Sequence, residues 1–305
     1  DRGAPAIYCI VDLHAITVPY EPAQLRERVL DTTALLLAAG LDPERCVLFC
    51  QGDVPEHTEL NWLLTSVTAI GELNRMHQFR DKSAVQRELV SAGLLFYPVL
   101  MAADVLAYRA DEVPVGEDQR EHLELTRDVA RRFNARFGDD LLVVPEHRIP
   151  TVGARIMDLQ EPTRKMSTTG GSVEGTVYVL DGPETIVKKL KRAVTDSEDP
   201  FTIRRDPAAK PGVTNLIDVT AAARGVDPGV VVAELSGARG YGDLKLAAAD
   251  AIATLLAPVR ERYAGLRAEV PYLDAVLEQG AAKARALAAP VLADVRAAMG
   301  VGARR

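Results

Sequence analysis

The alternation of apolar and polar positions predicts a parallel-sheet unit in the first 50 residues. Ile7–Asp12 and Cys46–Gln51 are apolar runs rich in β-branched residues, a pattern typical of buried parallel strands. Between them, residues 25–39 repeat apolar positions with helical spacing and end at Gly40, which suits a helix C-cap. Strand, helix and strand in this order predict a crossover unit on a parallel sheet.

Longer helical patterns follow, with one further strand. Residues 60–79 and 119–137 have helical periodicity, and residues 141–145 are predicted to form a strand. From about Glu184 onward strand patterns stop, and alanine-rich helical stretches occupy residues 184–194, 213–223, 244–264 and 272–299. The predicted fold class is therefore an α/β domain followed by an all-helical domain.

Composition narrows the class of protein without identifying it. The 305 residues are 48% hydrophobic and 26% charged, as in ordinary globular proteins. No apolar run approaches the length of a membrane span, so we expect a cytoplasmic protein with no membrane partner. Cys46 and Cys50 have the spacing of half a metal site, but no second pair completes it, and core positions are favoured for both.

The charge is unevenly distributed along the chain. The net charge of −7 argues against non-specific coating of nucleic acid. Residues 1–184 contain 18 Lys and Arg against 29 Asp and Glu, whereas residues 185–305 contain 18 against 14. The second part could therefore meet a polyanion, although ordinary surface variation is the simpler explanation.

Four short segments carry candidate chemistry. Asp12–Thr17 follows a predicted strand, and open parallel sheets bind ligands at that end of their strands. Residues 97–104 are mostly apolar and end in Asp104, which suits an aromatic ligand with one polar group. Residues 113–119 run into a predicted helix, and Lys165–Thr169 lies in a loop rich in Gly, Ser and Thr.

Together and in this order, these segments resemble the bacterial tryptophanyl-tRNA synthetases, which are class I enzymes with a Rossmann-type catalytic domain. The likeness covers Ile10–Ala154 and continues in Lys165–Thr169, which looks like the family's K-M-S-K-S loop. Segments similar to the family's helical domain are Thr195–Ser197, Lys210–Gly212 and Gly240–Gly242.

The resemblance implies both an organisation and an activity. It implies a Rossmann-type catalytic domain over residues 1–184, a helical anticodon-binding domain over 185–285, and a C-terminal helix over 286–305 that packs back on the catalytic domain. It further implies a homodimer that activates L-tryptophan with ATP and Mg²⁺ and loads it onto tRNA(Trp). The family's first strand and its H-I-G-H-like motif would precede Asp1, and we expect the natural protein to carry them.

Asp104 matches the family's aspartate that accepts the indole N–H of tryptophan. Indole has one donor and no acceptor, so a carboxylate in an apolar slot is a suitable partner. Phenylalanine would leave that carboxylate unpaired, whereas tyrosine brings its own donor and must be rejected by shape. Without its neighbours, Asp104 would be interpreted as a helix N-cap. The other residues implied to bind tryptophan are Met101, Val113 and Val115 as walls, Tyr97 beside them, and Gln119 and His14 at the amino-acid end.

The resemblance also assigns an ATP site, whose implied residues are Gly116, Glu117, Asp118, Ile156, Lys165, Met166, Ser167 and Thr168. Lys165 would be the catalytic cation, which neutralises the charge on the leaving pyrophosphate together with Mg²⁺. Thr168 stands where the family often has a second lysine, so the loop has one cation fewer. We interpret this difference as an adjustment of the loop's activity and not as a loss of catalysis.

The remaining polar and aromatic candidates carry weaker signals. His57, His77, His122 and His147 have no convergent partners in the sequence, and most are predicted to be surface or capping residues. Trp62 lies in the region through which the family dimerises, and core packing explains it equally well. Two alternatives stay open beside the tryptophan enzyme: a non-catalytic tRNA-binding or tryptophan-sensing protein, and a tyrosine-specific enzyme.

Overall fold

The computed structural model describes residues 6–77, 90–116, 119–138, 140–148, 155–167 and 171–302. Its contacts divide the chain into two compact units, the first of residues 1–149 and 265–305 and the second of residues 150–264. These units are defined by contacts and not by function, so the predicted functional boundaries after residues 184 and 285 stay a prediction.

The first unit contains two short parallel sheets. Strand β1 (Ala6–Ile10) pairs with β2 (Cys46–Cys50), and helix α2 (Pro22–Ala38) connects them. Strand β3 (Glu112–Pro114) pairs with β4 (Glu146–Arg148). Helix α2 has proline in its first turn, where the missing N–H has no intrahelical partner to lose. The predicted strand–helix–strand unit is confirmed.

Helices enclose the core of this unit. In chain order they are α1 (Asp12–Ala15), α3 (Pro55–Thr65), α4 (Ile70–Arg75), α5 (Ala92–Leu106), α6 (Arg120–Phe137) and, after the second unit, α11 (Val270–Met299). All five residues of β2 are buried, as expected of a strand covered on both faces. Cys46 and Cys50 belong to this buried set, which confirms their predicted core positions. Helix α11 packs on β2, where Ala281 and Ala284 share a buried cluster with Phe49.

The single helix predicted over residues 60–79 is wrong: α3 ends at Thr65 and α4 begins at Ile70. The Ser66 hydroxyl donates to the Leu63 carbonyl (2.7 Å) and the Thr68 hydroxyl donates to the Leu64 carbonyl (2.9 Å). Such local side-chain bonds offer the backbone an alternative to continuing the helix.

The strand predicted over residues 141–145 is also wrong, since the strand of this region is β4, a few residues later. Asn134 donates to the Leu142 carbonyl (2.8 Å) and accepts from the Leu142 N–H (2.9 Å). This one side chain occupies both backbone groups with which Leu142 would pair in a sheet.

The second unit is helical, as predicted. Its helices are α7 (Pro183–Arg192), α8 (Pro211–Arg224), α9 (Pro228–Glu234), which was not predicted, and α10 (Tyr241–Ala268), whose last four residues belong to the first unit. Helix α8 ends at Gly225 with a φ of +66°, a left-handed C-cap that glycine adopts without steric cost. Within the described residues, no helix of either unit has the length and apolar character needed to cross a bilayer.

Candidate active site

Asp104 lies near the C-terminal end of helix α5, in a mostly apolar stretch of the first unit. The N-cap of this helix is Ser91, whose hydroxyl oxygen accepts a hydrogen bond from the Leu94 N–H (3.2 Å). The N-cap interpretation of Asp104 is therefore wrong. The Asp104 side chain is only 11% exposed, and a carboxylate so enclosed needs hydrogen-bond donors to stay charged.

Three side chains supply these donors. His14 Nε2 lies 2.9 Å from Asp104 Oδ2, while the Gln51 amide donates to Oδ1 (2.7 Å) and His57 Nδ1 lies 2.5 Å from the same oxygen. A carboxylate offers about four acceptor positions on its two oxygens. The three side chains fill both positions on Oδ1 and one on Oδ2, so one position on Oδ2 is left for a ligand.

These contacts keep the Asp104 carboxylate charged. Burial, the largest single influence, raises the pKa of Asp104. Hydrogen bonds from His14 and His57 and the attraction between each ring and the carboxylate outweigh burial, so the pKa of Asp104 lies below its ordinary value. The site thus presents an anionic acceptor at neutral pH.

The parallel strands determine where this cluster forms. His14 lies in α1, immediately after β1, and Gln51 follows β2 directly, so the carboxyl ends of both strands meet at Asp104. Asp12 Oδ1 accepts from the N–H of Gly52 (2.9 Å), which links the two strand ends directly. A Cβ at position 52 would lie 2.7 Å from the Asp12 carboxylate, so a larger residue there would displace that side chain.

Tyr97 lies two turns before Asp104 on the same helix. Its hydroxyl is 3.0 Å from His122 Nε2, and its ring meets the His14 ring edge to face at 5.9 Å. Burial, with a smaller contribution from the charge of Glu121, raises the pKa of Tyr97 to about 12. The phenol is therefore neutral, and the structure brings Tyr97, His14 and Asp104 together; their role in binding tryptophan stays a prediction.

The other predicted tryptophan residues of this unit lie on α5 and after it. Met101 is half-buried one turn before Asp104, and Val113 and Val115 are half-buried in and just after β3. The Gln119 N–H donates to the Gly116 carbonyl (3.0 Å), which makes the turn that leads into α6. Glu117 and Asp118, between these two residues, lie outside the described residues.

The predicted ATP loop belongs to the second unit and has a firmly anchored base. Lys165 forms an isolated antiparallel bridge with Met157, and the Met166 N–H donates to the Ile156 carbonyl (2.9 Å). The amide of buried Asn215 on α8 bonds both backbone groups of Met157, at 2.8 and 2.9 Å. The structure therefore brings Ile156 and Met166 together, and their contact with ATP stays a prediction.

The Lys165 side chain is exposed beyond this anchored base, where a ligand can reach it. The carbonyl of Ser167 accepts from the Thr176 hydroxyl (3.1 Å), which ties the loop to the segment before α7. Thr168 and Thr169 lie outside the described residues. Lys165 and Asp104 belong to different units.

The three helical-domain segments noted in the sequence meet at one buried ion pair. Lys210, only 2% exposed, lies 3.0 Å from both Asp196 oxygens and 2.7 Å from the Tyr241 hydroxyl. Burial raises the pKa of Asp196, but hydrogen bonds, with that from Tyr241 the largest, lower it to about 2. The cluster joins the segment before α8 to the starts of α8 and α10.

Helix α7 carries a group of cations that differs from those elsewhere in the unit. Arg205 and Arg224 pair with Asp218 and Glu234 on the surface. In contrast, no ion pair to a carboxylate within the described ranges involves Lys188, Lys191 or Arg192, all of them exposed. Their spacing of three and four residues places them on one side of α7. We call these three residues the α7 basic surface.

A cavity of about 860 Å³ lies between α2 and α11, and Asp104 is not among its lining residues. Its walls are aliphatic in part, with Leu25, Val29 and Leu277. Its charged lining comprises four acids and two cations, namely Asp12, Asp53, Asp274 and Glu278 with Arg26 and Arg285. This acidic excess disfavours a polyanion such as a triphosphate, so Asp104 and its partners stay the centre of the candidate site.

Two histidines were predicted wrongly. His57 and His122 are both fully buried, and they bond Asp104 and Tyr97 respectively instead of lying on the surface. No local pattern in the sequence marks them. Gln51 was also missed, although it is the last residue of a predicted strand, and the carboxyl end of a strand is the signal that identified His14. His77, by contrast, is 84% exposed, as predicted.

Trp62 is a surface residue, since 75% of it is exposed on α3. The core-packing explanation is therefore wrong. Ile70, at the start of α4, is also 63% exposed. Both residues lie in the segment for which the resemblance implies dimerisation.

Comparison with known proteins identifies the relatives of this arrangement. A family model described as "tRNA synthetases class I (W and Y)" matches residues 1–257. The crystal structure of tryptophanyl-tRNA synthetase from Mycoplasma pneumoniae is 36% identical, with 96% of this chain and 88% of that chain covered and a TM-score of 0.87.

Two further solved structures are similar to this chain. Tryptophanyl-tRNA synthetase from Campylobacter jejuni, complexed with ADP and tryptophan, is 30% identical over 96% of this chain and 89% of that chain, with a TM-score of 0.78. Tyrosyl-tRNA synthetase from Aeropyrum pernix is 19% identical over 90% of this chain and 79% of that chain, with a TM-score of 0.61. This last likeness concerns the fold alone.

Proposed function

Because the chain belongs to the class I tRNA synthetases of the tryptophan and tyrosine family, we propose that it is a tryptophan–tRNA ligase. It activates L-tryptophan with ATP to tryptophanyl-adenylate and transfers the amino acid to tRNA(Trp). The observation that carries this proposal is the charged, enclosed Asp104 carboxylate with one acceptor position left on Oδ2. The tryptophan enzymes from Mycoplasma pneumoniae and Campylobacter jejuni also match this chain at 36% and 30% identity.

The acceptor position on Asp104 receives the indole N–H. An anionic acceptor makes a stronger hydrogen bond than a neutral one. Phenylalanine brings no donor and would leave the carboxylate desolvated, a penalty that selects against it. Met101, Val113 and Val115 form the apolar walls that exclude tyrosine by shape. All three side chains are half-buried, which leaves part of each surface available to a ligand.

The amino-acid end of tryptophan is bound by the polar side of the pocket. Gln119 orients the ammonium or carboxylate group, and Tyr97 and His14 lie beside it. Since His14 Nε2 is engaged by Asp104, the His14 ring contributes its remaining polar edge and its face. The neutral Tyr97 phenol adds no charge that would compete with the substrate carboxylate.

ATP is bound by Gly116, Glu117, Asp118, Ile156, Lys165, Met166, Ser167 and Thr168. An oxygen of the tryptophan carboxylate attacks the α-phosphorus, a new C–O–P linkage forms, and the bond to the bridging oxygen of pyrophosphate breaks. Lys165 neutralises the charge that develops on pyrophosphate. The reaction needs no protein nucleophile or general base, because the substrate carboxylate is itself the nucleophile. A terminal ribose hydroxyl of tRNA then attacks the activated carbonyl, and AMP leaves.

Mg²⁺ is expected to arrive with the nucleotide. Within the described residues, no three His, Cys, Asp or Glu side chains are grouped closely enough to hold a metal ion. Mg²⁺ commonly binds through substrate phosphates with few protein ligands, which fits this arrangement. When bound, it supplies positive charge to the triphosphate, and the residues of the chain position the phosphates and the carboxylate.

The assembly and location follow from the same proposal. Exposed Trp62 and Ile70 form the centre of a homodimer interface, in which burial of an aromatic side chain supplies much of the binding energy. The α7 basic surface contacts the phosphates of tRNA. ATP and tRNA are cytoplasmic substrates, so the enzyme acts in the cytoplasm.

ATP–pyrophosphate exchange tests the proposal directly. Exchange should depend on tryptophan, and Asp104→Ala should raise the KM for tryptophan about ten- to a hundred-fold, the value of a hydrogen bond to a charged acceptor. Exchange with tyrosine alone would contradict the proposed substrate. Tryptophan binding without exchange would contradict catalysis and favour a sensing role.

A further inference from the structure

His57 is a buried imidazole to which none of the proposed substrate contacts assigns a role. It is 0% exposed. Its Nδ1 lies 2.5 Å from Asp104 Oδ1, and its Nε2 lies 2.5 Å from the Tyr108 hydroxyl oxygen. The ring is also held edge to face by Phe49 at 5.6 Å and by Tyr108 at 5.4 Å. Both ring nitrogens are therefore engaged.

The chemistry of the two partners determines the direction of these hydrogen bonds. The Asp104 carboxylate is charged and can only accept, so His57 Nδ1 must carry a hydrogen. Burial raises the pKa of Tyr108, so its hydroxyl keeps its proton and can donate. In a neutral His57, Nε2 is then an acceptor for Tyr108. In either protonation state, His57 donates from Nδ1 to Asp104 and contacts the Tyr108 hydroxyl through Nε2.

The distribution of donors on the carboxylate has a consequence for the ligand. His57 and Gln51 both contact Oδ1, whereas His14 alone contacts Oδ2. A carboxylate held in this way cannot rotate its open acceptor position away without breaking these bonds. Since a hydrogen bond weakens steeply when its angle is poor, the orientation of Asp104 controls how strongly an N–H donor is recognised.

We propose that His57, oriented by Tyr108, is a positioning residue that turns the open acceptor of Asp104 towards the indole N–H and so contributes to selection of tryptophan. His57 itself does not touch the substrate. This inference rests on the proposed function, because it requires Asp104 to receive the indole.

The test compares tryptophan with its analogue in which sulfur replaces the indole N–H, 3-(3-benzothienyl)alanine. The measured quantity is the ratio of kcat/KM for the two amino acids in ATP–pyrophosphate exchange. A general loss of folding or of ATP binding lowers both values and leaves the ratio unchanged, whereas a misaligned acceptor lowers only the value for tryptophan. The ratio therefore separates positioning from a merely structural role.

Three variants carry the test. His57→Leu removes both hydrogen bonds and should lower the ratio about tenfold, the lower end of the effect of a hydrogen bond to a charged group. His57→Asn places an amide N–H near the position of Nδ1 and should recover most of the ratio. Tyr108→Phe removes only the hydroxyl that contacts His57 Nε2. It should lower the ratio about threefold, the effect of one ordinary hydrogen bond. If His57→Leu fails to fold, Tyr108→Phe decides the question.

Asp104→Ala distinguishes failure of this inference from failure of the proposed function. If Asp104→Ala leaves the ratio at its wild-type value, Asp104 does not read the indole and the proposed pocket is wrong. If Asp104→Ala lowers the ratio but neither His57→Leu nor Tyr108→Phe does, only the positioning role is overturned. In the Asp104→Ala background, His57→Leu should cause no further change, since both act on one contact.

Discussion

Helix α11 lies so close to strand β2 that a single added carbon should separate them. A Cβ built on Gly280 would lie 1.7 Å from the carbonyl oxygen of Leu48 and 2.6 Å from its carbonyl carbon. These are backbone atoms of a buried strand and have no rotamer by which to move aside. Gly280→Ala therefore tests whether backbone-to-backbone contact holds α11 on the sheet.

The magnitude follows from the distances. Ordinary van der Waals contact of a Cβ begins at 3.4 Å, so α11 must withdraw from β2 by roughly 1.7 Å at this point. A gap of 0.5–1 Å already forfeits a quarter to a half of the dispersion energy of each contact, and Ala281 and Ala284 would lose contact with Phe49. Overpacking costs about 1–3 kcal/mol, and the backbone clash at Gly280 should place this cost at about 3 kcal/mol. Replacing glycine by alanine within a helix returns about 1 kcal/mol, so the net loss should be about 2 kcal/mol.

Urea unfolding followed by circular dichroism measures this cost, with Gly265→Ala as the matched control. Gly265 is exposed on α10, and a Cβ there meets no atom within 4 Å. Alanine is favoured over glycine in a helix by about 1 kcal/mol, so Gly265→Ala should slightly raise the free energy of unfolding. If Gly280→Ala unfolds at the same urea concentration as the wild type, the close approach of α11 to β2 is wrong.

Three further predictions concern catalysis, assembly and tRNA. Lys165→Ala should lower kcat for adenylate formation about 10²–10³-fold, while the tryptophan affinity measured by calorimetry should be unchanged. Equal losses of kcat and of tryptophan affinity would contradict a transition-state role. Trp62→Glu should convert a dimer to a monomer in sedimentation velocity, because a charge would be buried at the interface; an unaltered dimer would exclude this surface. Alanine at all three positions of the α7 basic surface should reduce the salt slope of tRNA binding by about 2–3, while Arg205→Ala, whose guanidinium is paired with Asp218, should change it little.

Local patterns predicted those parts of the fold that depend on neighbours in the sequence. The apolar runs around β1 and β2 were identified within one or two residues, and the helical periodicity before Gly40 located the end of α2. The two wrong elements have polar causes that periodicity does not register. In one, hydroxyl groups of Ser66 and Thr68 interrupt a helix, and in the other Asn134 occupies the backbone of Leu142.

The candidate site was predicted unevenly for a related reason. Asp104 and Tyr97 lie on one helix, so the resemblance could locate both from a single segment. His57, by contrast, is 47 residues from Asp104 and 51 from Tyr108 in the chain. Its neighbours in the sequence form the start of an amphipathic helix. They do not show whether His57 is the hydrogen-bond partner of a distant carboxylate or a capping residue. Such a contact becomes visible only when the packing of α3 against α5 is known.

That packing explains how an apolar helix can carry a charge. Leaving a buried carboxylate without partners costs several kcal/mol, and the side chains of α5 offer no donor of their own to Asp104. The donors come instead from α1, from the residue after β2, and from α3, three elements whose positions are determined by the parallel sheet and by the core around Leu60 and Leu106. Because the donors belong to the scaffold, they stay in place whether or not a ligand is bound. They therefore keep the carboxylate, with its open acceptor position on Oδ2, in one orientation. The fold thus stabilises the charged carboxylate but leaves one of its acceptor positions unfilled. Under this condition a ligand with an N–H donor is selected over a ligand that lacks a donor.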